Sequence, residues 1–275
     1  MEGDREHNIK TVDQEIIFFN SYLPRTGHNF AAEVIKIFSE HEVLAHNRSE
    51  TRISTILDSY YEIRARNFYE SDRKFLDTLF INDLRKKILD QSPRKYIMIK
   101  DTSFKGVELM PEIFPDDLHF ILIRDPKSVF LSLLKGMNLK KRSLRNKVKR
   151  FGIPAGLYPY FYSKKISSQV LKKFPDLRAH TIIRYEDLVR KDEKTLLLLK
   201  EKFATKKNLE QIKKEIDDIQ VINTSFFEET GAKNIWDRKP KTSTFNPLKR
   251  KKFSFTIVKA VELGSRELRR KLNYI

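Results

Sequence analysis

The chain has no cysteine, which excludes disulfides and any thiolate metal site. It has no run approaching the roughly 18 apolar residues that a membrane-spanning helix needs. Its opening stretch, MEGDREHNIK, is too polar for a secretory leader. Together these absences point to a cytoplasmic location. Acidic residues are missing over two long stretches. From Pro126 to Pro175 there is no Asp or Glu, while thirteen Lys or Arg occur; Arg238 to Val261 is also acid-free and carries eight more.

The remaining composition is that of a globular chain. Its 275 residues fit one large α/β domain better than two. Hydrophobic residues make up 40%, with 20 Phe and 10 Tyr, enough for a sizeable core. The formal net charge is +18, a field that concentrates anionic ligands. Nucleic acid is one candidate partner for such a chain, and solvated lysine-rich faces account for part of the excess.

Residues 15–39, EIIFFNSYLPRTGHNFAAEVIKIFS, organise the reading. Ile16 to Phe19 form a short apolar run, the mark of a strand buried on both faces. Leu23 to Asn29 then reads as a tight turn, and Phe30, Val34, Ile35 and Phe38 recur at helical spacing. Such a strand, turn and helix present free N–H groups and a positive dipole end to an anion. Arg25 adds a planar donor fork suited to phosphate or sulfate. The turn is not a Walker A loop, which needs G-x-x-x-x-G-K-[ST].

Residues 1–13 read as a mobile polar tail before a single domain over 14–275. Further strands are expected at His41–Ala45, Tyr96–Ile99, Leu118–Ile123 and His180–Ile183. Helices are expected at Arg48–Phe68, Ser71–Leu89, Val107–Ile113, Lys127–Met137, in a segment ending near Phe174, at Lys191–Phe203, at Leu209–Ile219 and up to about Leu272. Residues Phe226 to Arg250 read mostly as loop. Strands separated by helices imply a three-layer α/β sandwich on a parallel sheet, with the site at the strands' carboxyl ends. Arg25, Lys100, Arg124 and Tyr185 all fall there.

Three segments carry a family resemblance. PRTGHNF (residues 24–30) resembles the phosphosulfate loop of sulfotransferases. RDPKSVFLS (residues 124–132) resembles their 3′-phosphate motif, R-D-P-x-x-x-x-x-S, although an arginine capping a strand is its plain structural reading. RYEDL (residues 184–188) resembles a third segment of the same family, and all three stand in family order at predicted strand ends. The resemblance implies a P-loop NTPase-like sulfotransferase fold and the donor 3′-phosphoadenosine 5′-phosphosulfate. It implies that Arg25, Thr26, Gly27, His28 and Asn29 hold the 5′-phosphosulfate and that Phe30 stacks near the adenine. Arg124 and Ser132 would hold the 3′-phosphate, and Tyr185 would lie near the base. The family's C-terminal R-K-G-x-x-G-D-W segment is absent as such. Its nearest counterpart is WDRKPK (residues 236–241), where Arg238, Lys239 and Lys241 can supply charge without the glycines.

The small-molecule enzymes of the family place K-T-H after a strand, whereas here Lys100-Asp101-Thr102 follows YIMI with no histidine. That segment and Ser49-Glu50-Thr51-Arg52 look closer to the protein-tyrosine enzymes, whose E-E-T-R supplies the base. The resemblance therefore implies Glu50 as general base, with Arg25 and Lys100 steadying the bridging and leaving oxygens. A helix-start carboxylate is the ordinary alternative for Glu50, and His28 and His46 are alternative bases. Rival readings of the whole chain are a nucleic-acid binder using the basic 139–150 segment and a P-loop nucleotide kinase. The first does not explain the three ordered segments, so no stable nucleic-acid complex is expected, and the second is opposed by the missing Walker lysine. The acceptor would bear a hydroxyl group on a carbohydrate, a small molecule or a peptide tyrosine; sequence leaves that identity and the oligomeric state open.

Overall fold

A computed structural model of the chain describes residues 13–43, 51–137, 151–220 and 253–275. The first strand, β1 (Glu15–Ser21), runs through the centre of the molecule with Ile16, Ile17 and Phe19 fully buried. Helix α1 (His28–Ser39) follows the turn, and the chain continues through β2 (Glu42–Val43), α2 (Ile53–Arg64), α3 (Glu70–Phe80) and α4 (Leu84–Leu89). Next come β3 (Tyr96–Asp101), a 3-10 turn (Val107–Leu109) with α5 (Met110–Ile113), β4 (Leu118–Ile123) and α6 (Pro126–Lys135). The remainder is α7 (Leu157–Lys172), β5 (Thr181–Arg184), α8 (Tyr185–Arg190), α9 (Glu193–Lys202), α10 (Leu209–Asp218), α11 (Phe255–Gly264) and α12 (Arg266–Lys271).

The five strands pair in parallel in the order β2-β3-β1-β4-β5. Because β1 sits between β3 and β4, the chain reverses its direction of travel across the sheet beside β1. In an open parallel sheet, the crevice outside the strand ends at such a point is where ligands bind. Side-chain alternation along β1 feeds two cores. Ile17 and Phe19 join α1, α8, α9 and α10 on one face. Ile16 and Phe18 join α2, α4 and α5 on the other, where α6, α7, α11 and α12 build a neighbouring cluster around Phe130 and Val261. The result is the expected three-layer sandwich.

Two helix expectations are corrected. The continuous apolar spacing over 71–89 divides into α3 and α4, because Asp83 adopts a left-handed conformation at φ 62 and restarts the helix. Asp tolerates that region better than most residues. Within 48–68, helix is found only over Ile53–Arg64, entered through Arg52 at φ 55; residues 48–50 lie outside the described part. Residues 185–190, read as a segment after a strand, form the short helix α8.

Candidate active site at the carboxyl ends of the strands

The turn after β1 is shaped by two left-handed residues, Arg25 at φ 72 and Gly27 at φ 97. Gly27 is the N-cap of α1 and offers no capping side chain. The first intrahelical bond runs from Ala31 N–H to the Gly27 carbonyl at 3.0 Å, so the N–H groups before Ala31 have no partner within the helix. Thr26 is fully buried, and its hydroxyl has no hydrogen-bond partner. A buried polar atom left in that state usually marks a place for a ligand or a water.

Glycine is required at position 27 for a second reason. A Cβ there would stand 2.2 Å from Cε2 of Tyr185, so the third segment packs directly on the first. The ring of Tyr185 is buried, meets Phe30 edge-on at 5.8 Å and lies 4.2 Å beneath the Arg124 guanidinium. Burial raises the Tyr185 pKa, with Arg124 opposing. Arg124 Nη1 also donates to the Arg25 carbonyl at 3.2 Å, and Tyr22 Oη donates to the Arg124 carbonyl at 2.6 Å. Arg25 Nε donates to Ser132 Oγ at 3.3 Å, joining the first segment to the second. The Asp125 N–H donates to Glu186 at 3.1 Å, joining the second to the third. The three segments therefore touch one another pairwise. Ser132 meets Arg25 here, where sequence had paired it with Arg124 across an anion.

Lys100, the penultimate residue of β3, is buried and donates to Asn29 Oδ1 at 3.0 Å. An ammonium thus sits beside the first turn of α1, on the strand next to β1. Around it lies a polar network not anticipated from sequence. Asn20 donates to Ser54 Oγ at 3.3 Å, and Ser54 Oγ donates to the buried Asp101 carboxylate at 3.0 Å. The Thr51 N–H donates to the Lys100 carbonyl at 3.1 Å, which fixes the entry to α2 at this end of the sheet. The detectable signal was Asn20 itself, an amide ending an apolar strand.

His28 departs from expectation. Its ring stacks on Phe19 with centroids 4.3 Å apart, and Nε2 donates to the Phe19 carbonyl at 2.9 Å. Burial, with the Lys100 charge adding, holds its pKa down to about 3. A neutral, enclosed imidazole with its N–H committed to the strand is a packing group. It serves neither as the side-chain phosphate ligand nor as the base suggested above. Glu50, His46, Arg238, Lys239, Lys241 and the 139–150 segment lie outside the described residues. Among the described residues no group of three or more His, Cys, Asp or Glu is placed to hold a metal, and no helix is long and apolar enough to cross a membrane.

A cleft of about 400 Å³ opens beside Arg124, lined also by Lys127, Arg184, Arg190 and Tyr274. Tyr274 Oη donates to Glu186 at 2.8 Å, and Arg184 Cζ stacks 4.7 Å over its ring. Arg269 donates to Asp125 at 2.9 and 3.4 Å. The end of the chain is thereby latched over the β4–β5 side of the site.

No protein-family model matches the sequence, and no curated protein matches it. Among solved structures, the chain is similar to a sulfotransferase domain from the curacin biosynthetic pathway. The identity is 15%, over 71% of this chain and 75% of that one, with a TM-score of 0.36. It is also similar to retinol dehydratase in complex with androsterone and inactive cofactor PAP, again at 15% identity. That alignment covers 74% of this chain and 63% of that one, with a TM-score of 0.33. Neither overlap bears on the assignment that follows, which rests on the residues of the site.

Proposed function

We propose that this chain is a sulfotransferase that moves a sulfuryl group from 3′-phosphoadenosine 5′-phosphosulfate to a hydroxyl acceptor. The observation that carries the reading is the pairwise contact of the three motif segments around one turn. The local chemistry fits an anionic donor. The turn has a buried hydroxyl without a partner, glycine where a Cβ would collide, and cations at Arg25, Lys100 and Arg124. In sulfuryl transfer the acceptor oxygen attacks sulfur while the bond from sulfur to the 5′-phosphate oxygen breaks. Like phosphoryl transfer, it calls for positioning and charge stabilisation more than covalent chemistry. Arg25 and Lys100 supply the positive charge, Arg124 and Ser132 the 3′-phosphate contacts, and Tyr185 with Phe30 the aromatic wall for the base. Glu50 takes the acceptor proton; it directly precedes Thr51, which is bonded to the Lys100 carbonyl.

The test is a comparison of two nucleotides. A ligand that binds only the folded chain raises its melting temperature by mass action. 3′-Phosphoadenosine 5′-phosphate is expected to do so at concentrations where ATP, which lacks the 3′-phosphate, has little effect. Equal shifts from both would favour a kinase or a general anion site. A screen of carbohydrate, phenolic and peptide hydroxyl acceptors with labelled sulfate donor then identifies the second substrate.

A further inference from the structure

The two acid-free stretches are not absorbed by the nucleotide site, and their described parts meet on one surface. Helices α7 and α11 lie side by side and run in the same direction. A Cβ on Gly156, before α7, would meet Thr256 and Ala260, and one on Gly264, ending α11, would meet Ser163 and the Tyr160 carbonyl. Their inner faces, with Tyr162, Ile166, Val170, Ile257 and Val261, belong to the core. Their outer faces combine large apolar groups with cations. On α7, Leu157, Phe161, Lys164, Lys165 and Lys172 recur at helical spacing and are exposed. On α11, Phe255, Lys259 and Leu263 do the same.

The exposure of the apolar members is large: Leu157 61%, Phe161 63%, Phe255 75% and Leu263 60%. Ammonium groups sit over rings on both helices, Lys164 at 5.5 Å from Tyr160 and Lys259 at 5.7 Å from Phe255. Residues 151–175 contain no acid, and on α11 the single carboxylate, Glu262, is held by Lys127 and Lys259. The face is therefore both apolar and positively charged. It differs from α2–α3, which also exposes Phe75 at 63% and Leu79 at 50%. There, five cations (Arg52, Arg64, Arg66, Arg73, Lys74) are balanced by five carboxylates (Asp58, Glu62, Glu70, Asp72, Asp77).

We propose that the outer face of α7–α11 docks on an anionic lipid bilayer surface. Its cations meet acidic headgroups while Leu157, Phe161, Phe255 and Leu263 enter the boundary with the acyl chains. The exposed aliphatic groups decide this against nucleic acid, because a phosphate backbone gains nothing from leucine. The charge decides it against a second copy, since two such faces repel.

The test is flotation of the full chain with phosphatidylcholine vesicles, with and without about one third phosphatidylglycerol. The chain is expected to float with the anionic vesicles alone, less so as salt rises. The variant Phe161→Ser/Leu263→Ser is expected to partition at least about tenfold more weakly, since it removes two of the apolar groups that enter the bilayer on docking. Phe75→Ser/Leu79→Ser on α3 is expected to match wild type, and both variants to keep the wild-type melting temperature. Three outcomes would overturn the assignment: undiminished partition of the Phe161/Leu263 variant, equal loss in both variants, or binding of a DNA duplex where vesicles do not bind. So would a wild-type dimer that the Phe161/Leu263 substitutions dissociate without lipid. None of these outcomes depends on nucleotide binding.

Discussion

Gly27 shows how much of the site depends on one missing side chain. Its φ of 97 lies where L-residues are strained, and the space beside its Cα is filled by Tyr185. That ring cannot swing away cheaply, because Arg124 covers one side and Phe30 meets another. Gly27→Ala is expected to destabilise the fold by about 1–3 kcal/mol through left-handed strain and overpacking. It is also expected to weaken nucleotide binding by displacing the turn. Urea unfolding with a nucleotide titration measures both, and a wild-type midpoint would show that the Tyr185 ring is loosely held. Glu50, the proposed general base, makes the contrasting case, since such a group contributes to turnover and little to anion affinity. Glu50→Gln is expected to lower single-turnover transfer by about 10²–10⁴ while nucleotide affinity stays unchanged. Normal turnover in that variant would remove Glu50 from the mechanism. His28 is not its replacement, because its ring is enclosed and bonded to Phe19.

The latch formed by α12 fixes one wall of the site from a distance of 144 residues along the chain. The Arg269 and Asp125 side chains are only 12% and 17% exposed, and Asp125 also caps α6 by accepting from the Lys127 N–H. Removing one partner of a largely desolvated pair leaves the other charge uncompensated. Arg269→Ala is therefore expected to cost about 2–3 kcal/mol in urea unfolding, whereas Arg178→Ala should be silent. The Arg178–Asp176 pair is the exposed counterpart, with side chains 92% and 52% exposed, where solvent screens the attraction. Equal effects would mean that Arg269 is hydrated.

These elements also show what the chain discloses before its structure is known. The buried strands were legible, since IIFF, YIMI and LHFILI are apolar runs that only a two-sided sheet accommodates. The turn and its partner segments were legible because strand, glycine and following helix are local features. The Asn20–Ser54–Asp101 network was not, because its partners are 34 and 47 residues apart. Nor was the inward turn of the His28 ring. Periodicity places position 28 at a helix start without saying which way the side chain packs. The break at Asp83 escaped for the same reason, since the apolar spacing runs through it.

At the scale of the whole molecule, three buried histidines and the half-buried His180 should govern acid stability. Burial lowers the pKa of His28 and His41 to about 3, with nearby lysines adding, and that of His180 to about 4; His119 is lowered in the same way. Below the ordinary value of 6.5 the unfolded chain binds protons that the folded chain refuses, so stability falls as pH falls. The contribution is complete above about pH 6.5 and is lost progressively toward the folded values. Glu262 has the opposite charge type but adds to the same trend. Lys259 and Lys127 hold its pKa down to about 2, so its contribution is present above its ordinary 4.5 and lost below that. Unfolding free energy is therefore expected to decline from about pH 6.5, well before carboxylates titrate, and more steeply below about pH 4.5. A His180→Gln variant separates the two causes. Glutamine can still donate to the Val107 carbonyl that His180 Nε2 meets at 3.2 Å, but it takes up no proton. The slope between about pH 6.5 and 4 should flatten, and the part due to Glu262 should remain. Urea unfolding across that range for both proteins measures this directly. An unchanged slope would mean that the His180 imidazole is hydrated and protonates in place.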